Sequence, residues 1–277
     1  SKHLERWNIM SEASVIQKSI RPQTKDTLKE DFQKIGIQKG DIVLVHSSMS
    51  QIGWIAGREI AVIEALIETV GEEGTIVMPS FSGENSQPEL WQNPPVPADW
   101  ISVIKDYMPP FECDKTPTRE MGKIAEAFWH YPQVLRSYHP EVSFSARGKM
   151  ANMIVEKHPL SPGFGKDSPL QRLYDLNAHV LLLGVSYDHC TCMHLAEVWQ
   201  ECPQWYTNGA AIIENGKRVW KEFLEIAYDD SDFLDIGQAY ESQYHIEAGT
   251  VGLAKTRYLE MKSLCDFAYE WIKVNRQ

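Results

Sequence analysis

Three short apolar runs punctuate the chain: IVLV at 42–45, IVM at 76–78 and VLLLGV at 180–185. Each has the length of a strand and is bounded by turn-forming residues. A run without alternation marks a strand covered on both faces. Around these runs the apolar spacing changes to three and four. Leu28, Phe32 and Ile35 share one side of a segment that opens at Thr24 and stops at Gly36, and Ile60, Ile63, Leu66, Ile67 and Val70 share one side of 58–70. Strand, loop and helix alternate, which predicts an α/β domain: a three-layer α/β/α sandwich around a central mixed β-sheet.

The rest of the pattern fills in that frame. Residues 83–118 are rich in proline, carry Trp91 and Trp100, and predict a loop-rich insertion with one short helix at 99–107. Helices are predicted at 121–130, 150–158, 170–177, 229–241 and 258–274. Strands are predicted at 142–146 and, on an edge, within 245–251. Asn215 and Gly216 between apolar runs at 210–213 and 218–226 signal a tight hairpin. Residues 1–20 read as a peripheral arm or helix. No Pro/Gly/Ser-rich linker divides the 277 residues, so one domain spanning 1–277 is expected.

The stretch 178–200, AHVLLLGVSYDHCTCMHLAEVWQ, concentrates the candidate chemistry. A buried strand there runs into a polar turn and then a helix, for which Thr191 is a candidate N-cap. His194 falls in the first helical turn, where the positive end of the helix dipole favours a neutral ring. A neutral imidazole beyond the carboxyl end of a strand is suited to general-base work. Glu197 and Glu201, three and seven residues on, are candidates to orient it. A second candidate is the Ser/Gly-rich loop after the first strand, with His46, Ser47, Ser48, Met49 and Ser50. Backbone N–H groups and small hydroxyl residues in such a loop suit a phosphate-bearing ligand.

Composition narrows the partners. A formal net charge of −11 argues against a nucleic-acid surface and favours a cationic small molecule. Acidic and aromatic residues in the insertion, Glu84 and Asp99 among them, suit an amine-bearing sugar by charge and stacking. Five cysteines, an odd number, do not form a disulfide framework. With no membrane span and no signal-like N-terminus, a cytoplasmic protein without a membrane partner is expected. The oligomeric state is not readable.

Six stretches in one order carry a resemblance: LVHSSMSQIG at 44–53, GTIVMPSF at 74–81, FECDKTPTREMGKIAEAFW at 111–129, RSYHPEVSFSARG at 136–148, SPGFGKDSPLQRL at 161–173 and LLLGVSYDHCTCMHLAE at 181–197. Together they resemble the aminoglycoside 3-N-acetyltransferase family, antibiotic N-acetyltransferases distinct from the GNAT superfamily. The resemblance implies an enzyme that moves acetyl from acetyl-coenzyme A, its co-substrate, to an amine of a 2-deoxystreptamine antibiotic. It implies His194 as catalytic base; beside it, the residue chemistry offers Glu197 or Asp188 to orient the ring and stabilise the imidazolium, and Thr191 either to cap the helix or to bring its hydroxyl to the thioester or sulfur. The resemblance places the 46–53 loop, Arg136, His139 and Ser168 on the cofactor side, where Ser80 is a further candidate; the carboxylates Glu84, Asp99, Glu120 and Asp188 are candidates, by charge, for binding a cationic acceptor. The segment Phe111, Glu112, Cys113, Asp114 departs from the compact Phe-Asp-Pro more usual in the family.

Three other readings compete. HCTCMH at 189–194 invites a metal, but structural zinc sites space their ligand pairs more widely and use Cys-x₂-Cys, so no metal is expected. Cys190 or Cys192 near a helix start is a candidate nucleophile, because that position lowers a thiol's pKa. A non-catalytic module that sequesters a cationic amine is the third.

Overall fold

The structure is a computed structural model and describes residues 11–276. Nine strands are formed among them: β1 (Ile42–Ser47), β2 (Thr75–Pro79), β3 (Leu135–Arg136), β4 (Phe144–Gly148), β5 (His179–Leu183), β6 (Trp205–Glu214), β7 (Lys217–Ile226), β8 (Gly249–Val251) and β9 (Ala254–Glu260). Seven of them make one mixed sheet in the order β3-β4-β2-β1-β5-β9-β8, and β6 and β7 pair separately. The three apolar runs form its centre: β1 lies parallel to both β2 and β5, with Leu44 opposite Val77 on one side and Val180 on the other. The flanking strands β4 and β9 are antiparallel to them.

Two cores cover the two faces of that sheet, as the three-layer expectation requires. Leu44, Val77, Val180 and Leu182 point to one face, where helices Ala151–Val155, Pro169–Asp175, Phe233–Tyr244 and Met261–Asn275 pack. Their neighbours in sequence, Val43, Val45, Ile76, Met78, Leu181 and Leu183, point to the other, against Lys25–Lys34, Arg58–Val70 and Lys123–Trp129. This alternation explains why the runs contain no polar residue: each strand residue faces one apolar layer or the other. Arg58–Val70 buries Ile63, Leu66 and Val70 as its spacing predicts, whereas Ile60 remains exposed. Thr24 caps the first long helix with a reciprocal box to Thr27.

The hairpin forms as its turn predicts and is longer than the apolar runs alone indicate, with Trp205 opposite Ile226 and Glu214 opposite Lys217. Asn215 and Gly216 both take positive φ, 50° and 74°, the requirement of a type I′ turn. The hairpin binds the insertion to the body of the protein. The Asn85 side chain bonds both N–H and C=O of Ala211, each at 2.7 Å, and Asn208 accepts from the Gln87 N–H at 3.1 Å. Phe111 N–H donates to Ala211 O at 3.0 Å, and Arg218 Nε to Met108 O at 2.9 Å. The insertion is therefore ordered against β6 and β7 through side chains that imitate strand pairing.

The C-terminal segment differs from its reading. Tyr258, Leu259 and Glu260 belong to β9, and the helix starts at Met261, because β9 completes the ladder with β5, Leu181 opposite Tyr258. Tertiary pairing overrides the helical spacing there. The 1–20 expectation falls partly on residues outside those described; within them Glu12–Lys18 is helical with Ser11 as its cap.

Two residues hold the loops beside the carboxyl ends of the central strands. Gly237, in the helix Phe233–Tyr244, lies under the Tyr187 ring, and a Cβ there would fall 2.2 Å from Tyr187 Cγ and Cδ2. His139, fully buried, accepts the N–H groups of Glu141 and Val142 on Nδ1 at 3.1 and 3.0 Å, and its Nε2–H donates to Leu160 O at 3.1 Å. Burial pushes its pKa down to about 4.

Two predictions follow from these contacts. Alanine gains about 1 kcal/mol over glycine in a helix interior, but overpacking costs about 1–3 kcal/mol; with a contact this short the second effect prevails. Gly237→Ala is therefore expected to lower the melting temperature, and an unchanged or higher one refutes the packing role. His139 is neutral in the native state, while the unfolded chain takes up its proton below pH 6.5, so its contribution falls as pH drops from about 6.5 to about 4. The total is at most roughly 3 kcal/mol. Denaturant titrations over that range are expected to show a steeper acid loss for wild type than for His139→Gln; parallel slopes refute it.

Candidate active site

The carboxyl ends of β1, β2 and β5 open into a cleft of about 340 Å³. Parallel strands place their following loops at the same end, which is why such edges collect functional groups. Gly184, at the end of β5, has φ 71°, and a Cβ there would come within 2.7 Å of the Gln51 side chain. The glycine lets the loop after β5 lie directly against the loop after β1. Ser48 N–H donates to Leu183 O at 2.9 Å and extends that contact.

After β5 the chain makes two 3₁₀ turns, Tyr187–His189 and Thr191–Met193, and then the helix His194–Val198. His194 is thus the first helical residue. The expectation that Thr191 caps this helix is corrected: the capping position is Met193 and no side chain caps it, because the tight turn carries Thr191 to the cleft wall instead. Glu197 lies three residues on, and its Oε2 is 2.5 Å from His194 Nδ1. His194 Nε2 receives no hydrogen bond from the described residues, and the ring lines the cleft. Glu201 lies past the end of this helix at Val198.

Glu197 is 5% exposed and is held on its other oxygen as well. Oε1 accepts the Asp229 N–H at 2.7 Å and Arg276 Nη1 at 2.7 Å. Arg276 is fixed in turn by Asp232, through Nε to Oδ2 at 2.8 Å and Nη2 to Oδ1 at 2.5 Å, and by Asp229 O at 2.6 Å. Three aromatic rings surround the imidazole. Phe164 stacks on it in parallel at 5.3 Å between centroids, Tyr228 lies at 5.1 Å and Phe233 at 4.9 Å.

The residues singled out in the sequence divide into two groups. His46, Ser47, Glu120, Asp188, Thr191 and His194 line the cleft, and Glu197 lies directly behind His194. His46 is 7% exposed, its Nε2 has no partner, and burial together with nearby His189 and His194 pushes its pKa down to about 3. Ser48, Met49 and Ser50 follow on the same turn, with the Ser48 and Ser50 hydroxyls 3.4 Å apart.

The others are not brought to the cleft wall. Ser80 is fully buried with its hydroxyl 2.5 Å from that of Ser145. Arg136 is sandwiched between Phe111 and Trp129, and its N–H groups go to Ser143 Oγ at 3.0 Å, Ser80 O at 2.9 Å and Thr116 O at 2.5 Å. His139 spends both nitrogens on its own loop, and Ser168 caps the helix Pro169–Asp175. Asp99 lies in an exposed turn, and Glu84 reaches Arg119 at 3.5 Å. No residue of 83–118 lines the cleft; Glu120 and Met121, just beyond it, do.

Several cleft residues escaped the sequence reading. Phe164, Asp230 and Phe233 line it, Tyr228 flanks the imidazole, and Arg276 joins from more than 70 positions away in the chain. The only local signal was the acidic run at 229–232 directly after the hairpin. Cys190 and Cys192 are buried with their sulfurs 3.5 Å apart, and Cys265 donates to Cys192 O at 3.3 Å. Contact with Cys192 and burial raise the Cys190 thiol well above the ordinary range, and, against an opposing effect of Cys190, contact with Cys265 and burial raise Cys192, so neither is a ready thiolate. Among the described residues no cluster of His, Cys, Asp and Glu has the arrangement of a metal site, and no helix is long and apolar enough to cross a membrane.

The family model described as aminoglycoside 3-N-acetyltransferase matches residues 44–273. The chain is 46% identical to the SPbeta prophage-derived aminoglycoside N(3')-acetyltransferase-like protein YokD of Bacillus subtilis, over 93% of this chain and 95% of that one. It is 31% identical to aminoglycoside N(3)-acetyltransferase IX of Micromonospora chalcea, over 95% and 98%. The crystal structure of aminoglycoside acetyltransferase AAC(3)-Xa superposes with a TM-score of 0.87 at 29% identity, covering 96% of this chain and 99% of that one. The chain therefore belongs to the aminoglycoside 3-N-acetyltransferase family and is an acetyltransferase.

Proposed function

We propose that the cleft transfers acetyl from acetyl-coenzyme A directly to an amine of an aminoglycoside, the 3-amine of a 2-deoxystreptamine ring, with His194 as general base. The observation that carries this reading is the orientation of His194: Nδ1 is held by Glu197 at 2.5 Å, which leaves Nε2 to the cleft. An amine is protonated in water and must lose a proton before or as it attacks. The ammonium gives one proton to water, His194 Nε2 accepts a second as the C–N bond forms and the thioester C–S bond breaks, and the imidazolium passes that proton to the departing thiolate, leaving amide, free thiol and one proton in solvent. Glu197 fixes the tautomer and stabilises the transient imidazolium.

The lining supports a cationic acceptor. Glu120, Asp188 and Asp230 contribute carboxylates, and no Lys or Arg is among the lining residues. The donor is assigned to the turn after β1. The Gln51 N–H turns back to Ser48 O at 3.2 Å, whereas the Met49 and Ser50 N–H groups have no acceptor among the described residues and the Ser48 side chain makes no capping bond, which supports a polar ligand at this turn. AAC-VIa has been solved bound to sisomicin, and it superposes on this chain with a TM-score of 0.82 at 26% identity.

Losing a positioned base typically costs about two to four decades in rate. Folded His194→Ala is therefore expected to lower kcat by that amount in an acetyl-coenzyme A consumption assay, with the coenzyme A Kd within a few-fold of wild type. Near-wild-type turnover of an accepted aminoglycoside refutes the assignment. Glu197→Gln gives a smaller loss that adds little to His194→Ala, since residues acting as one unit are not additive. Calorimetry without acceptor is expected to show acetyl-coenzyme A binding. No heat and no thermal stabilisation at millimolar ligand removes the donor assignment at 47–50.

A further inference from the structure

Glu197 is a buried carboxylate three residues along from His194 on the cleft wall, and what holds it is a cation from the far end of the chain. We propose that Arg276 is a positioning residue for the acetyl transfer, acting through Glu197 on His194; the inference rests on His194 being the base.

The geometry separates this arginine from an ordinary surface pair. Arg276 gives one nitrogen to Glu197 Oε1, the oxygen not facing His194, and the other side of its fork to Asp232. Its remaining contact is the Asp229 carbonyl, and the Asp229 N–H meets the same Glu197 oxygen. Both oxygens of Glu197 are therefore occupied, one by the imidazole and one by two donors, and the carboxylate has one rotamer that satisfies all three. Remove the guanidinium and Oε1 keeps a single backbone donor. The carboxylate is then free to swing off Nδ1, and the imidazole loses the contact that fixes its tautomer and its aim.

The same arginine ties the base to the cleft wall. Asp229 and Asp232 bracket Asp230, which lines the cleft, and precede Phe233, which lines it and packs on His194 at 4.9 Å. Arg276 follows the helix Met261–Asn275, so one side chain clamps the loop after β7, the helix His194–Val198 and the end of Met261–Asn275 to one another. Its charge suits a helix C-terminus. Lysine at this position would supply the charge but not the fork, since a guanidinium presents several N–H groups in one plane and an ammonium does not.

The test compares Arg276→Met, Arg276→Lys and Arg276→Ala with His194→Ala in the full chain, each first shown folded by circular dichroism and thermal melting. A misplacement of about 1 Å in a reacting group costs about a hundredfold. Arg276→Met is expected to lower kcat ten- to a hundredfold while the acetyl-coenzyme A Kd and the aminoglycoside KM stay within about threefold. Arg276→Lys is expected to recover part of kcat, and millimolar methylguanidinium to raise the turnover of Arg276→Ala. In a Glu197→Gln background Arg276→Met is expected to add little further loss, because the effect passes through that carboxylate. Wild-type kcat for folded Arg276→Met, or a full additional loss in the Glu197→Gln background, overturns the proposal. If Arg276→Met does not fold, Arg276→Lys and the methylguanidinium response decide it: wild-type kcat in the lysine variant together with no guanidinium response overturns it. Near-wild-type kcat in His194→Ala would instead sink the base assignment, whatever Arg276 does.

Discussion

The Glu197 carboxylate is the interaction on which the site depends. Taking a carboxylate out of water costs several kcal/mol even after relaxation, and the cost is recovered only when its lone pairs are met by well-placed donors. Here His194, Asp229 and Arg276 meet them, and each comes from a different part of the chain. Such an arrangement contributes little net stability compared with apolar packing of similar volume. What it supplies is direction. The imidazole can present Nε2 to the cleft only if something fixed holds Nδ1, and a half-satisfied carboxylate would not be fixed.

The sheet explains where this happens. Because β1, β2 and β5 run parallel at the centre, three loops emerge side by side at one end, and the two apolar layers leave that end as the place where polar side chains meet without a buried partner. His46 shows the consequence. It lies one residue before the end of β1 on the same face as Leu44, pairs in register with Leu182, and has its imidazole at the cleft with Nε2 unpartnered. Burial keeps it neutral, so the cleft floor holds an uncharged ring beside the base rather than a competing cation.

How far the sequence carried this picture depends on the distance over which each feature is encoded. The central strands, the helix Arg58–Val70 and the Asn215, Gly216 turn are written in contiguous residues, and they formed where read. The juxtaposition of the 46–50 loop with 188–194 follows from strand order, and the resemblance supplied it. The β9 strand was misread because Tyr258 and Leu259 fit a helical spacing as well as an alternating one, and only pairing with β5 distinguishes them. The resemblance puts Arg136, His139 and Ser168 on the cofactor side, yet their hydrogen bonds close loops: a residue's type tells what it can bond, and the fold decides which partner arrives first. Arg276 and Tyr228 left no trace, since nothing in their neighbourhoods refers to residue 194.

The insertion reaches the site by a less direct route than its composition suggests. It contributes no cleft wall, but Asn85, Gln87 and Met108 fasten it along the hairpin, and β7 ends at Ile226, immediately before Tyr228, Asp229, Asp230, Asp232 and Phe233. Glu225, at the end of that strand, also accepts the Gly163 N–H at 2.9 Å, which fixes the loop bearing Phe164. Burial raises its pKa, and the Ile226 and Gly163 N–H groups it accepts act against that rise. This wall of the cleft is therefore set by a stack: insertion on hairpin, hairpin on the 228–233 loop, loop on His194 and Arg276. Exposed rim carboxylates such as Asp188 attract a cation but are screened by water, where a contact pair is worth only about 1 kcal/mol. Under the proposed function they favour amines as a class, and discrimination among amines rests on the shape of that wall, which the insertion reaches only through the hairpin.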